Sequence, residues 1–198
     1  MAKLYFYYSA MNAGKTTTLL QSDHNYRERG MRTLLFTAQI DTRAASGLIS
    51  SRIGLEKNAM AFTSTTHFFK QISDDVQSNG LLHCVLVDEA QFMNKTQVMQ
   101  LCQVADKLKI PVLTYGIRSD FMGELFEGSA ALLALADKLC EIKTICPCGR
   151  KATMNLRMDE NGQAMTHGHQ IEIGGNDQYI ALCRRCFSER HEGATCVI

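Results

Sequence analysis

The chain has 198 residues, which is enough for one core domain and a small appendage but not for two full-sized domains. Its 21 basic and 20 acidic side chains leave a formal net charge of +1 at pH 7, and this balance argues against a protein that binds mainly to nucleic-acid phosphates. No run of residues approaches the roughly 18 apolar residues of a membrane span, and the first residues lack the features of a signal peptide, so we expect a cytosolic protein with no membrane partner.

The first third of the chain predicts two strands, one helix and a long loop. Residues 4–8 form an aromatic run with strand propensity, and a turn over 9–14 leads into a helix over 15–29. A second strand is expected over 33–37. The stretch 38–57 is polar and has no clear period, so we predict a long loop there, and loops of that length are usually functional or mobile.

The alternation of strands and helices continues to about residue 142. An apolar run at 84–87 that ends in two acids is typical of a buried parallel strand, and Asn94 is a suitable N-cap for the helix after it. The other elements expected here are a short strand over 59–62, helices over 66–78, 95–109 and 129–137, and strands over 112–115 and 139–142. This order predicts an α/β fold with a mainly parallel sheet covered by helices on both faces.

The composition changes near residue 143. Residues 146–149 form a turn-like knuckle, 152–158 alternate as a strand does, and 159–162 match a hairpin-type turn. Residues 167–179 contain three Gly and are predicted to form a loop. We therefore expect an α/β domain over 1–142, a small second domain over 143–192 and a C-terminal tail over 193–198.

The turn between the first strand and the first helix matches the phosphate-binding pattern G-x-x-x-x-G-K-[ST], except that Ser9 stands at its first position. Gly14 lets the backbone approach phosphate oxygens, and successive N–H groups at the helix N-terminus form an anion nest. Lys15 would add a charge near the β- and γ-phosphates, and the Thr16 hydroxyl can ligate Mg²⁺. The alternative is a chance strand–turn–helix. The residues expected to bind the nucleotide are Ser9, Ala10, Met11, Asn12, Ala13, Gly14, Lys15 and Thr16.

An acidic pair follows the apolar strand at 84–87. Because parallel strands bring their carboxyl ends to one edge of the sheet, Asp88 and Glu89 are expected beside the phosphate-binding turn. Asp88 would then hold Mg²⁺ directly or through water, and Glu89 would project into the same site, free to act as a base. Ala90 and Gln91 are assigned to the same nucleotide site. The alternative for the acidic pair is a solvated strand end.

The chain has eight cysteines, and four of them fall in two tight pairs. Disulfides are not expected in a reducing compartment, whereas four thiolates fit a closed tetrahedral Zn²⁺ site with a structural role. The second pair has the usual C-x-x-C spacing, but the first is C-x-C, which leaves open whether Cys146 is a ligand. The alternative is a set of unpaired thiols without a metal. The candidate zinc ligands are Cys146, Cys148, Cys183 and Cys186.

Together these features resemble the thymidine kinases of the zinc-containing, cytosolic type (type II) found in bacteria and animals. The resemblance rests on Met11 in the phosphate-binding turn, the Asp-Glu-Ala-Gln-Phe run at 88–92, the Gly-Gly-Asn-Asp-Gln-Tyr stretch at 174–179 and the two cysteine pairs. It extends from about residue 3 to 187, and it implies a P-loop domain over 1–142 and a zinc-binding lasso domain over 143–192. It also implies phosphoryl transfer from ATP, with Mg²⁺, to the 5′-hydroxyl of thymidine, feedback inhibition by dTTP and a homotetramer.

The resemblance also assigns roles to individual residues. Glu89 matches the catalytic base, which takes the proton from the nucleoside 5′-hydroxyl, and Arg43 matches an arginine near the transferring phosphoryl group. Lys15, Thr16 and Asp88 match the residues that bind phosphate and Mg²⁺. The four paired cysteines match zinc ligands. The residues that match the thymidine site are the pocket residues Met11, Phe92, Phe121 and Phe126 and the lasso residues Ile173, Gly174 and Tyr179.

Two other functions remain as alternatives at this point. The run 88–91 is also similar to a helicase strand motif, but nucleic-acid motors need two core domains and a basic channel. The other alternative is a zinc-knuckle binding module beside a degenerate nucleotide-binding domain, and the near-zero net charge and the intact phosphate-binding turn count against it. Without the resemblance, the phenylalanines would be ordinary core residues, and Arg43 and Arg52 would be solvated loop charges.

Overall fold

A six-stranded sheet in which all neighbouring strands run parallel forms the centre of the larger unit. The computed structural model describes residues 1–40, 47–171 and 178–191. The strands are β1 (Leu4–Ser9), β2 (Thr33–Ala38), β3 (Leu48–Ser50), β4 (Glu56–Asn58), β5 (Met60–Phe62), β6 (Cys84–Val87), β7 (Val112–Ile117), β8 (Lys138–Glu141), β9 (Thr144–Ile145), β10 (Lys151–Ala152), β11 (Met154–Arg157) and β12 (Tyr179–Leu182). The helices are α1 (Lys15–Glu28), α2 (Phe68–Asn79), α3 (Lys95–Gln103), α4 (Glu127–Leu135) and α5 (Arg184–His191), with a 3₁₀ turn over Ala90–Phe92 and a π-helical turn over Val104–Leu108 that continues α3.

The strand order in the sheet is β5-β2-β6-β7-β1-β8. Parallel neighbours need crossover connections, and α1, α2, α3 and α4 lie in the crossovers that follow β1, β5, β6 and β7. The predicted α/β fold is therefore confirmed. The turn after β1 and the acidic pair after β6 reach the same edge of the sheet, where open α/β folds bind their ligands.

Both faces of the sheet are buried, as the apolar sequence of β6 predicts. On one face, α1 packs Leu19 and Leu20 against Leu35, Leu86 and Tyr115. On the other face, α2, α3 and α4 cover a larger cluster of buried side chains. Burying a side chain of this size stabilises the fold by about 1.5–3 kcal/mol, so packing from two sides fixes the strand ends that carry the polar residues.

The start and the end of the helical segment around α3 follow the predicted signals. The Asn94 side chain accepts the Gln97 backbone N–H at 2.9 Å, and the Gln97 side chain accepts the Asn94 backbone N–H at 3.1 Å, which completes a capping box. The last helical turn ends at Leu108. Lys109 then takes a left-handed φ of 58°, ahead of Pro111, so the predicted N-cap and end are confirmed.

Two predictions of secondary structure are wrong, and one helix was not predicted. The stretch 38–57, predicted as a loop, contains a hairpin of β3 and β4, and strands of three residues leave no readable period in the sequence. Burial of Ile49 against the core under α1 holds this hairpin. Tyr179 begins β12 instead of closing a loop, because it pairs with Arg157 across the sheet. The sequence also does not predict α5, whose composition is mostly polar.

The residues after β8 form a smaller unit of short hairpins and one helix. β9 pairs with β10 and β11 pairs with β12, both antiparallel. The predicted hairpin-type turn at 159–162 is confirmed, since the Asp159 N–H donates to the Gln163 carbonyl at 2.9 Å. The predicted tail over 193–198 lies outside the described residues. None of the helices in the described ranges combines the length and the apolar character needed to cross a bilayer.

Candidate active site

A cavity of about 530 Å³ opens where the carboxyl ends of the central strands meet the smaller unit. Its volume lies within the range of pockets that bury small-molecule ligands. The predicted site residues that line it are Met11, Asn12, Ala13, Gly14, Lys15, Thr16, Asp88, Glu89, Gln91, Phe92, Phe121, Phe126 and Tyr179. Ser9, Ala10 and Ala90 are buried behind the wall and do not line it. Arg43, Ile173 and Gly174 lie outside the described residues.

The turn between β1 and α1 has the backbone shape of an anion nest. Asn12 and Gly14 adopt left-handed conformations, with φ of 62° and 83°, just before α1 begins at Lys15. The Lys15 ammonium donates to the Ser9 hydroxyl at 3.1 Å and to the Ala10 carbonyl at 3.0 Å. Ser9, the residue that departs from the phosphate-binding pattern, therefore accepts a hydrogen bond that helps to hold the Lys15 ammonium in place.

Asp88 and Thr16 form a second polar group at the cavity. The Thr16 hydroxyl donates to Asp88 Oδ2 at 3.1 Å, and the Glu89 backbone N–H donates to Asp88 Oδ1 at 3.0 Å. Burial and the neighbouring Glu89 charge raise the pKa of Asp88 to about 7, although these hydrogen bonds and Lys15 act in the opposite direction. The positive charge near the buried Asp88 carboxylate does not offset the cost of its burial, and a divalent cation would supply the missing charge. The Thr16 hydroxyl and the Asp88 carboxylate are oxygen ligands of the kind that Mg²⁺ binds, so these two residues could hold Mg²⁺.

The turn after β6 directs Glu89 into the cavity. Glu89 has a φ of 53°, which is uncommon for a residue other than glycine. Gln91 Nε2 donates to Glu89 Oε2 at 2.5 Å, and Gln91 Oε1 accepts the Ile117 backbone N–H at 3.2 Å. Because the Ile117 N–H fixes which end of the amide is the acceptor, the amide NH₂ must face the carboxylate. Gln91, assigned to nucleotide binding from the sequence, thus orients Glu89.

Two glycines let neighbouring backbone approach this turn. A Cβ at Gly116, in β7, would lie 2.7 Å from Gln91 Oε1. A Cβ at Gly128, in α4, would lie 2.6 Å from two backbone oxygens of the turn. The turn that carries Glu89 is therefore enclosed by β7 and α4, and a methyl group at either glycine would displace it.

Aromatic rings form the apolar wall of the cavity. Phe92 and Phe126 meet edge to face, with ring centroids 6.0 Å apart and an interplanar angle of 80°. Phe121 is buried, and the Arg157 guanidinium lies 3.8 Å from its ring centroid. Arg157 Nη1 also donates to the His169 carbonyl at 3.1 Å. These rings offer a flat apolar surface to a planar ligand.

Sequence reasoning missed several polar groups at the same cavity. Asp120 lies three residues after the end of β7, at the same edge of the sheet as Asp88, so the sequence does carry a weak signal for it. Its carboxylate accepts two backbone N–H groups of its own turn and the Gln170 amide at 2.9 Å. Asn155 and Gln170 carry no such signal, since each is an isolated polar residue. Arg52, exposed at the tip of the β3–β4 hairpin, lines the cavity as well.

The four paired cysteines form a cluster in the smaller unit. Their Sγ atoms all lie within 4.8 Å of one another, and Cys148 Sγ is 3.4 Å from Cys146 Sγ and 3.7 Å from Cys183 Sγ. Tetrahedral zinc with Zn–S bonds of about 2.3 Å requires sulfur atoms roughly 3.8 Å apart, so the cluster could hold Zn²⁺. None of these four cysteines forms a disulfide, and Cys146 belongs to the cluster despite the C-x-C spacing. The Arg150 backbone N–H lowers the pKa of Cys148 to about 7, which favours the thiolate.

A family model and the relatives described here all point to one family. A family model described as thymidine kinase matches residues 2–187. A relative from Zymomonas mobilis subsp. mobilis, named thymidine kinase, is 63% identical over 190 residues, which cover 96% of this chain and 98% of the relative. A thymidine kinase from Yersinia pseudotuberculosis serotype I is 58% identical over 196 residues, which cover 99% and 100%. One from Xanthomonas axonopodis pv. citri is 59% identical over 193 residues, which cover 98% and 92%.

Proposed function

The chain belongs to the thymidine kinase family of enzymes, and on this premise we propose that it transfers the γ-phosphoryl group of ATP to the 5′-hydroxyl of thymidine and yields dTMP. The observation that carries the proposal is the cavity lined both by Lys15, from the phosphate-binding turn, and by Glu89, from the acidic strand end. A cavity that joins a phosphate nest to a carboxylate suits phosphoryl transfer to an alcohol.

The phosphates of ATP would lie against the nest at the start of α1. Lys15 would place its charge beside the β- and γ-phosphates, and the loop backbone N–H groups would bind their oxygens. Thr16 and Asp88 would hold Mg²⁺, which neutralises charge on the phosphate oxygens when it is bound. Arg43 would add a cation near the transferring phosphoryl group, as the resemblance to the family implies.

Glu89 would act as the general base. Its carboxylate would take the proton of the 5′-hydroxyl as that oxygen bonds to the γ-phosphorus, while the bond from the γ-phosphorus to the bridging oxygen breaks and ADP leaves. The 2.5 Å hydrogen bond from Gln91 supports this role, because it holds one carboxylate oxygen and so fixes the direction of the group. Positioning of this kind is the main contribution that a protein makes to phosphoryl transfer.

The thymine ring would enter the apolar slot of the cavity. Aromatic rings and a methionine suit its flat face and its methyl group, and backbone groups of the lasso would close over the nucleoside. The residues proposed to bind thymidine are Met11, Phe92, Phe121, Phe126, Ile173, Gly174 and Tyr179.

The remaining parts of the proposal concern the whole protein. We propose a structural Zn²⁺ on the four paired cysteines, a domain boundary near residue 142, feedback inhibition by dTTP, no nucleic-acid partner and a cytosolic homotetramer. Metal analysis that gives about one zinc per chain would support the first point, and sedimentation analysis would test the last.

The experiment that tests the proposed reaction is a panel of nucleosides assayed with ATP and Mg²⁺ for formation of the 5′-monophosphate. We expect dTMP from thymidine, weaker activity with deoxyuridine, since one methyl group is worth only about 1–3 kcal/mol, and none with cytosine or purine nucleosides. ATP hydrolysis that needs single-stranded DNA and no nucleoside would instead favour the nucleic-acid motor.

Replacement of the proposed base gives a sharper test. Glu89→Gln should bind ATP with nearly unchanged affinity and lower kcat by about 10²–10⁴, because general-base help of that size is lost. The matched control is Glu124→Gln, which removes an exposed acid that does not line the cavity and should leave kcat unchanged. A Glu89→Gln protein with a kcat near that of the wild type would remove Glu89 from its role.

A further inference from the structure

β11 presents its alternate side chains to two different surroundings. Leu156 is 1% exposed and packs in the core of the smaller unit, with the cysteine cluster. Asn155 and Arg157 project to the opposite face, towards the larger unit, and are 2% and 1% exposed. This one strand therefore links the core around the cysteines to the wall of the cavity.

Asn155 uses both ends of its amide to bridge two loops of the larger unit. Its Oδ1 accepts the Met11 backbone N–H at 2.7 Å, and its Nδ2 donates to the Ser119 carbonyl at 3.1 Å. Met11 lies in the phosphate-binding turn after β1, and Ser119 lies in the loop after β7. The amide also lines the cavity itself, so a buried polar side chain from the smaller unit forms part of the wall.

The hydrogen bond to Asn155 limits which N–H groups of the phosphate-binding turn can bind a phosphate. Because the Met11 N–H already donates to Asn155, the donors available to a phosphate begin later in the turn, at Asn12. The same bond fixes the backbone of Met11, which lines the same cavity as the aromatic rings. Met11 thus belongs functionally to the nucleoside side of the cavity and not to its phosphate side.

We propose that Asn155 is a positioning residue for the nucleoside: by holding the Met11 N–H, it sets the wall against which the thymine ring binds. This inference rests on the proposed thymidine kinase reaction. It predicts an effect on thymidine that ATP does not share, because the Lys15, Thr16 and Asp88 contacts do not involve Asn155.

The test compares two variants whose side chains keep the heavy-atom count of Asn and branch at the same carbon. Asn155→Leu removes both hydrogen bonds and leaves the Met11 N–H without its acceptor, and we expect the KM for thymidine to rise about tenfold while the KM for ATP stays within about twofold. Asn155→Asp keeps an acceptor for Met11, and in this buried position a protonated carboxyl also keeps a donor for the Ser119 carbonyl, so the KM for thymidine should return most of the way to the wild-type value.

A control and a second readout separate positioning from general loosening. Leu156→Val lies on the opposite face of the same strand; it should lower Tm and leave the KM for thymidine unchanged. Hydrogen exchange of the Met11 amide, measured by NMR without substrates, should be slow in the wild type and in Asn155→Asp and at least tenfold faster in Asn155→Leu.

Three results would overturn the inference: a wild-type KM for thymidine in Asn155→Leu, an equal rise in the KM values for thymidine and ATP, or a Leu156→Val protein that behaves like Asn155→Leu. If Asn155→Leu does not fold, an unprotected Met11 amide in the wild type would still contradict the inference. Absence of dTMP formation by the wild type would count against the proposed function alone, since the exchange of the Met11 amide is measured without any substrate.

Discussion

Asp88 shows how a site residue can destabilise the protein that carries it. Its carboxyl group is buried beside Glu89, and the pKa is raised from 3.8 to about 7. When folding raises the pKa of a carboxyl group, the stability that this group contributes is fully present below the pKa of the unfolded state. That contribution is lost as the pH rises through the pKa of the folded state. Asp88 therefore costs the protein stability progressively between about pH 4 and 7, and the loss is complete above that range.

Asp88→Asn should remove this dependence when no Mg²⁺ or nucleotide is added. The neutral amide can still accept the Glu89 N–H and donate to the Thr16 hydroxyl, so the fold should be retained while activity is lost. We expect the free energy of unfolding of the variant to exceed that of the wild type at pH 8, by on the order of 1–4 kcal/mol, and this difference to shrink as the pH falls towards 4. Urea unfolding at both pH values measures the difference, and parallel curves for the two proteins would contradict the argument.

Single residues differ in how well the sequence predicts their place. Lys15, Thr16, Asp88 and Glu89 are predictable, because each is fixed by its distance along the chain from a strand end or a helix start. The partner of Glu89 is not predictable in this way: the Gln91 amide is oriented by the Ile117 N–H, which is close only in the folded sheet. Arg43 stays a prediction, since it lies outside the described residues.

Secondary-structure elements also differ in how well the sequence predicts them. The long helices and the buried strands were predictable from different signals. β6 is a continuous apolar run, α1 follows the phosphate-binding turn, and α3 begins at the Asn94 cap. Each strand of the β3–β4 hairpin is three residues long, and Ile49 is the one fully buried apolar side chain of the hairpin. The hairpin is therefore held by a core that other elements supply. α5 is polar along most of its length and is held by Cys186 and Phe187.

The short elements of the smaller unit enclose little buried apolar area besides the cysteine cluster. Apart from the cysteines, the buried core there consists of Ala152, Leu156, Leu182 and Phe187, which is little apolar area for five elements. Structural zinc contributes about 10–16 kcal/mol in small zinc-binding peptides, which is more than such a core supplies. We therefore expect the order of this unit to depend on the proposed zinc.

Loss of the metal should unfold the smaller unit and spare the sheet. In Cys148→Ala we expect lower zinc content and rapid proteolysis between residues 143 and 191, while a resistant fragment of the larger unit remains. The control is Cys102→Ala, which removes a thiol outside the cluster and should keep both zinc and protease resistance. Limited proteolysis with mass spectrometry measures both outcomes, and a resistant smaller unit in the zinc-free variant would show that its core suffices alone.

At the scale of the whole molecule, the larger and the smaller unit contribute different parts of the cavity wall. The phosphate-binding turn and Asp88 belong to the larger unit, whereas Asn155, Gln170 and Tyr179 reach the cavity from the smaller one. Gln170 also bonds to Asp120 across the boundary at 2.9 Å. ATP would thus contact mainly one unit, and thymidine would contact both. The resemblance already assigns Tyr179 to thymidine, whereas Asn155 and Gln170 carry no such signal in the sequence.

Thymidine should therefore order the smaller unit in a way that ATP does not. A ligand at 100 times its Kd stabilises the state that it binds by about 2.7 kcal/mol, and for thymidine part of this should appear as slower amide hydrogen exchange in β11 and β12. An ATP analogue at the same multiple of its Kd should slow exchange in the turn after β1 and at the start of α1. Deoxyuridine serves as the matched control: at equal saturation it should give the thymidine pattern, because it differs by one methyl group. If the ATP analogue alone protects β11 and β12 as strongly, the nucleotide and not the nucleoside joins the two units.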